Sequence, residues 1–156
     1  MKKVLSGFVA MMLLLSFTLP ALAAAQSPPL LQITSSPDRA GVSWTLTTDS
    51  GDFAISHASC DIEKASSTSV NASACTQTNQ TADSIGGVIF LQKLVNGVWS
   101  SVNSKSFTAY GTNTSTGSIT WSAEPGFYYR LRTNHTAAKD GSTLYKTTYT
   151  SSIFVN

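Results

Sequence analysis

The chain has 156 residues, 12% of them charged, a formal net charge of +2 and two cysteines. Removing Lys2 and Lys3 from the 10 basic residues leaves 10 − 2 = 8 against 8 acidic residues, a net charge of zero. A neutral chain without a cluster of Lys and Arg argues against nucleic acid or an anionic membrane surface as a partner. The length suits a single domain with a real core.

The first residues have the pattern of a secretory signal peptide. Lys2 and Lys3 precede an apolar run over residues 4–19, and Ala21-Leu22-Ala23 provides an A-x-A cleavage site. We expect residues 1–23 to be removed, and the small residues also allow cleavage after Ala25. Because the apolar run is short and is followed by a cleavage site, it is a poor membrane span. The sequence therefore predicts a secreted, extracellular protein without membrane insertion.

Residues 26–52 are expected to form an N-terminal segment that is partly loose. Its prolines predict an irregular start, residues 35–38 predict a turn, and residues 41–47 alternate like a strand. The sequence leaves open whether this segment packs on the rest of the chain.

Residues 53–156 are predicted to form the main domain, centred on residues 88–102 (VIFLQKLVNGVWSSV). Asn96 and Gly97 both tolerate positive φ, as a two-residue type I′ hairpin turn requires. Trp99 is expected to anchor the core near that turn. A bulge would shift the register by one residue. Without one, the predicted opposite pairs are Val95 and Val98, Leu94 and Trp99, and Leu91 and Val102.

A second clear strand follows at residues 127–133 (FYYRLRT). Its alternation predicts an apolar face toward the core, made by Phe127, Tyr129, Leu131 and Thr133, and a solvated face made by Tyr128, Arg130 and Arg132. About seven strands, with turns roughly 8–12 residues apart, predict an all-β, antiparallel sandwich of immunoglobulin-like type.

The two cysteines are expected to form a disulfide. Folding residues 54–78 about Ser67-Thr68 places Cys60 directly opposite Cys75, close enough for an S–S bond. In an exported chain a pair of cysteines is most simply a disulfide. A closed loop of about 15 residues would contribute roughly 3 kcal/mol of stability.

Several residues resemble those of bacterial immunoglobulin-like or fibronectin-III-like domains: Leu91-Gln92-Lys93, Gly97, Trp99, Val102, Tyr129-Arg130, Ser151-Ser152 and Val155. Residues 54–156 are more closely similar to a family of small secreted proteins of Gram-positive bacteria, through the LQK strand, the Trp beyond the turn, residues 126–136 (GFYYRLRTNHT) and residues 147–155 (TTYTSSIFV). The resemblance implies the sandwich fold and export, and it implies no activity. It also makes Tyr129 the candidate for a tyrosine corner, in which the hydroxyl bonds back to the backbone.

The sequence carries none of the common catalytic or metal-binding motifs. His135 is expected in a solvated loop, and Asp61 and Glu63 on the exposed face of an edge strand. We therefore expect a non-catalytic protein with no cofactor and no metal.

Two functions are consistent with these features. The first is an interaction or structural module whose partner is an extracellular protein or a cell-envelope glycan. The alternative is a carbohydrate-binding module, with stacking platforms among Trp44, Tyr110, Trp121 and Tyr128. The candidate recognition surface is Tyr128, Arg130, Arg132 and Trp121. The oligomeric state does not follow from the sequence.

Overall fold

The computed structural model describes residues 29–46 and 51–156, so the predicted signal peptide lies outside the described residues. This part of the chain is all-β and contains no helix that could cross a membrane. It forms eight strands, of which six lie in residues 54–156, where the sequence indicated about seven. They are β1 (Leu30–Ser36), β2 (Arg39–Thr45), β3 (Ile55–Ser66), β4 (Ser69–Val95), β5 (Val98–Ser122), β6 (Phe127–Lys139), β7 (Ser142–Tyr149) and β8 (Ile153–Val155).

All strand pairs are antiparallel, and the 27-residue β4 lies at their centre. On one side, β4 pairs first with β3 and then with β6, while β5 follows it on the other side. β7 and β8 both pair with β6. β1 and β2 extend the sheet beyond β3, so residues 30–45 are part of it.

The sheet bends back on itself near the middle of its two longest strands, since side chains from both halves of each strand share one core cluster. The pairing of β4 with β5 is interrupted between Gln77 and Ala82, and Gly111 on β5 has a φ of 61°. The bend divides the sheet into two layers. The first layer contains β1, β2, β3, the beginning of β4 and the end of β5; the second contains the remainder of β4 and β5 with β6, β7 and β8.

The core lies between these layers. Side chains from both layers form one buried cluster, and a smaller cluster lies near the bend. The first layer contributes Ala40, Val42, Cys60, Ile62, Val70, Ala72 and Ala74, and the second contributes Ile89, Leu91, Phe107, Tyr129, Leu131, Ile153 and Val155. The all-β, antiparallel sandwich expected from the sequence is confirmed.

The predicted hairpin at the centre is also confirmed. Asn96 and Gly97 have φ values of 50° and 78°, as a type I′ turn requires. The pairs Val95–Val98 and Leu94–Trp99 form as expected, and a bulge then moves Leu91 opposite Asn103 rather than Val102. Trp99 is partly exposed and belongs to neither core cluster, so its predicted role as a core anchor is wrong.

The predicted Cys60–Cys75 disulfide is wrong, and both residues are free thiols. The turn is where the sequence predicts it, since Ser66 lies opposite Ser69. A register shift between Lys64 and Ser66 then places Cys60 opposite Ala74 and Cys75 opposite Ser59. A slip of one residue sends a side chain to the other face of the sheet. Cys60 therefore points into the core, while Cys75 is on the outer face.

Two further expectations are corrected. His135 is not in a solvated loop; it lies within β6 and is fully buried, at 0% exposure. β3 is not an edge strand, because β2 covers its other side. On that strand Asp61 forms an ion pair with Arg39 at 3.1 Å.

Candidate functional site

The outward-facing side of β6 carries the side chains that the sequence predicts for recognition. Tyr129 and Leu131 point into the core, and the alternating Tyr128, Arg130 and Arg132 therefore point outward. Alternate residues on a strand are about 7 Å apart. The three form a continuous stripe along the second layer, as the sequence predicts.

The arginines of this stripe lie over aromatic rings from β4, β5 and β7. The guanidinium carbon of Arg130 is 4.4 Å from the centre of the Trp99 ring and 5.1 Å from that of Tyr149. The guanidinium carbon of Arg132 is 4.3 Å from the centre of the Phe90 ring. Such distances allow cation–π attraction. The stacking restricts the conformations of both arginine side chains.

A second group of rings continues the surface beyond the arginines. Tyr128 packs against Phe154 of β8, with ring centres 4.9 Å apart and planes inclined by 46°. Tyr128 and Tyr149 are each 48% exposed and Phe154 is 37% exposed. We name this surface the aromatic–arginine face. Its members are Phe90, Trp99, Tyr128, Arg130, Arg132, Tyr149 and Phe154.

The positive charge of this face is not neutralised within the described chain. Neither Arg130 nor Arg132 takes part in its ion pairs. Arg130 Nε donates a hydrogen bond of 2.9 Å to Oε1 of Gln92. Arg132 Nε is buried without a hydrogen-bond partner among the described residues. The nearby Lys93 is paired with Glu124 and lies over the Phe127 ring.

The structure separates Trp121 from the other predicted recognition residues. Trp121 lies on the first layer, opposite Val70, and packs against the main core cluster. Trp44 likewise packs against the smaller cluster, and its ring lies under Lys146. Tyr110 is 77% exposed but lies toward the bend, opposite Ser84. Of the four predicted stacking rings, only Tyr128 belongs to the aromatic–arginine face.

His135 lies in a buried polar network between the two layers. Its Nδ1 is 2.8 Å from Oγ1 of Thr76, and its Nε2 is 2.9 Å from Oγ1 of Thr148. Thr148 Oγ1 is in turn 3.2 Å from Sγ of Cys60. Burial lowers the pKa of His135 to about 4, with smaller contributions from the charges of His57 and Lys146. Because the imidazole is buried and cannot be reached from solvent, we interpret this network as a structural feature of the core.

The outer face of the first layer presents mainly small hydroxyl groups. His57 lies there, with Nδ1 3.1 Å from Thr45 Oγ1 and Nε2 3.2 Å from Ser59 Oγ. A shallow cavity of about 460 Å³ lies beside it, lined by Ser59 and Cys75 among others. In the strands that line this cavity, Ser43 lies opposite Ser59, and Ser59 lies opposite Cys75. No carboxylate orients the imidazole, and no group of three potential metal ligands occurs in residues 29–46 and 51–156.

The chain matches no protein-family model, no curated protein and no solved structure.

Several members of the aromatic–arginine face were not anticipated from the sequence. Tyr149 lies opposite Arg132, and Phe154 lies opposite Tyr128, because β7 and β8 both pair with β6. Phe90 lies opposite Arg132 on the other side. Each ring is outward-facing by simple alternation along its own strand. Alternation alone could have marked them as exposed, but only the strand order brings them together.

Proposed function

We propose that this protein is a secreted, non-catalytic recognition module that binds an extracellular partner through the aromatic–arginine face. The observation that carries the proposal is the stacking of Arg130 and Arg132 on rings that remain partly open to solvent. Exposed aromatic and arginine side chains are the residue types that contribute most to binding energy at interfaces. Restricting their rotamers before binding reduces the entropy lost on association.

Carbohydrate recognition is the second candidate, and the exposed rings favour it. Tyr128 and Tyr149 present amphipathic rings, each 48% exposed, on an open sheet surface. A ring face that is open to solvent can receive the apolar face of a sugar, while the hydroxyl remains available for a hydrogen bond. Trp121 and Trp44 do not contribute, since both pack against core clusters.

A binding screen with ring variants tests the proposal. The purified protein is tested for binding to peptidoglycan, chitin, cellulose and a glycan array. It is also tested for binding to secreted and surface proteins from a bacterial culture. We expect saturable binding to one partner, weakened by at least about tenfold in Tyr128→Ala/Tyr149→Ala. Tyr110→Ala removes a more exposed ring elsewhere on the second layer and is the matched control. Circular dichroism checks the fold of each variant.

Two results would overturn the proposal. One is specific binding that the double ring variant leaves unchanged, which would place recognition elsewhere on the molecule. The other is an absence of binding to every glycan and every protein in the screen.

A further inference from the structure

The ionised groups of the aromatic–arginine face carry a single sign of charge. Arg130 and Arg132 lie two residues apart on the same side of β6, and neither is in an ion pair of the described chain. Lys93 on the adjacent strand β4 is already paired with Glu124. Two uncompensated guanidinium groups beside each other favour an anionic partner, because that partner would neutralise both.

The guanidinium groups are arranged to accept that anion at their edges. The guanidinium carbon of Arg132 lies over the Phe90 ring, and that of Arg130 lies over the Trp99 and Tyr149 rings. Stacking occupies the face of a guanidinium and leaves the N–H groups in its plane for hydrogen bonds. Arg132 Nε is buried and Arg130 Nε donates to Gln92, so the terminal edge formed by the two Nη groups is the part of each guanidinium that a ligand can reach. A carboxylate matches such an edge with two parallel hydrogen bonds.

Exposed rings beside the stripe provide apolar surfaces next to these charges. Tyr128 and Phe154 lie before Arg130, and Tyr149 lies opposite Arg132. β4 and β6 each have paired strands on both sides here, so they offer no free edge to which an extended peptide could add. The outward positions of β6 are one exposed ring, Tyr128, followed by two charges, Arg130 and Arg132, at steps of about 7 Å, and this order fits a linear polymer that carries both apolar rings and carboxylates.

We propose that the aromatic–arginine face binds an acidic polysaccharide, with uronate carboxylates at Arg130 and Arg132 and pyranose rings on Tyr128 and Tyr149. This inference rests on the proposed recognition function and names its partner class. Two arginines on an otherwise uncharged face provide few contacts for a nucleic acid, whose binding depends on many phosphate contacts. Single-stranded nucleic acid is therefore an outcome of the test rather than the proposal.

Direct binding to chosen polymers tests the inference. The probes are polygalacturonate, alginate and hyaluronan, each of which carries uronate groups. Three control probes separate the contributions. Methyl-esterified polygalacturonate keeps the sugar rings but has no charge, and polyglutamate has carboxylates but no sugar rings. An oligothymidylate tests for binding to single-stranded nucleic acid. We expect saturable binding to at least one uronate polymer, weakened at least about tenfold between roughly 50 mM and 500 mM salt. Binding to the ester, polyglutamate and oligothymidylate is expected to be at least about tenfold weaker.

Matched variants locate the site. Arg130→Gln/Arg132→Gln and Tyr128→Ala/Tyr149→Ala are each expected to weaken uronate binding at least about tenfold. Arg39→Gln on the first layer and Tyr110→Ala are expected to leave it unchanged, since neither residue belongs to the face. Circular dichroism and urea unfolding confirm that each variant folds.

The outcomes separate the two proposals. Equal binding to the ester, or failure of all three uronate polymers, overturns the acidic polysaccharide. If the native protein instead binds another glycan or a protein, and Tyr128→Ala/Tyr149→Ala weakens that binding, the proposed recognition function still stands. Tighter binding to polyglutamate or oligothymidylate than to any uronate polymer also overturns the inference. Uronate binding that both face variants leave intact would overturn the inference and the proposed binding surface together.

Discussion

His135 and Thr76 join the two layers of the sandwich, with Nδ1 and Oγ1 2.8 Å apart in the core. The Thr76 hydroxyl donates its proton to the carbonyl of Gly86 at 3.0 Å, so it must accept from the imidazole. The imidazole therefore carries its proton on Nδ1 and accepts from Thr148 at Nε2, 2.9 Å away. Thr148 can then accept from the Cys60 thiol. With His135 neutral, every donor in this chain has an acceptor.

The first prediction is a loss of stability in mild acid. Burial lowers the pKa of His135 from 6.5 to about 4, so between these values the unfolded chain binds a proton that the folded protein does not. The stabilisation is fully present above pH 6.5 and is lost as the pH falls toward 4. The loss amounts to about 3 kcal/mol. Urea unfolding at several pH values between those limits measures it.

His135→Gln is the comparison for this prediction, because its amide can bond to both threonines and does not titrate in that range. We expect the free energy of unfolding to fall less steeply with acid in the variant than in the native chain. The native protein offers a second measurement: its imidazole nitrogen resonances should show the neutral Nδ1–H form at pH 5.5, well above the pKa of about 4. A protonated His135 in the folded protein at that pH would contradict the prediction.

Local features explain which parts of the fold could be predicted from the sequence. The hairpin at Asn96 and Gly97 depends on two residues that adopt positive φ. The two faces of β6 depend on strict alternation over residues 127–133. Both signals lie within a few residues, so neither needs knowledge of the remaining chain.

The parts that were missed depend on distant partners or on a bulge. A register shift near Lys64 has no clear sequence signal, yet it moves Cys60 away from Cys75. His135 is buried because Thr76, 59 residues away, supplies a hydroxyl from the other layer. Residues 84–87, at the end of the polar run 79–87, are held in a strand because β5 and β6 pair with it on both sides. The rings around Arg130 and Arg132 come together through strand order and not through proximity in sequence.

The second prediction concerns the two thiols. Without reductant, the unfolded protein should take up two iodoacetamide labels, since neither cysteine is in a disulfide. The native protein should take up one label rapidly, at Cys75, because Cys60 is 2% exposed. Burial raises the pKa of both thiols, so labelling is best done at about pH 8.5.

Intact mass after labelling measures the number of reactive thiols. Cys75→Ser should abolish the rapid label in the native protein, and Cys60→Ser should preserve it. If the unfolded chain takes up no label, the two cysteines form a disulfide, and the strand register that separates them is wrong.

The third prediction concerns the hydroxyl of Tyr129, which holds the connection between β5 and β6 against the second layer. It accepts a hydrogen bond of 2.9 Å from the backbone N–H of Glu124 and donates one of 3.2 Å to the carbonyl of the same residue. This contact confirms the tyrosine corner expected at that position. Tyr129→Phe removes both bonds without removing the buried ring, so we expect a loss of about 1–3 kcal/mol in the free energy of unfolding.

The neighbouring Tyr128→Phe is the matched control for this change. Tyr128 is 48% exposed and its ring packs on Phe154, so removing its hydroxyl should alter the free energy of unfolding by less than about 0.5 kcal/mol. Urea unfolding of both variants, with the native chain as reference, gives the difference. Equal stability of the two variants would show that the bonds to Glu124 contribute nothing. A larger loss in Tyr129→Phe would instead identify this corner as a stabilising feature of a sandwich that has no disulfide between its two cysteines.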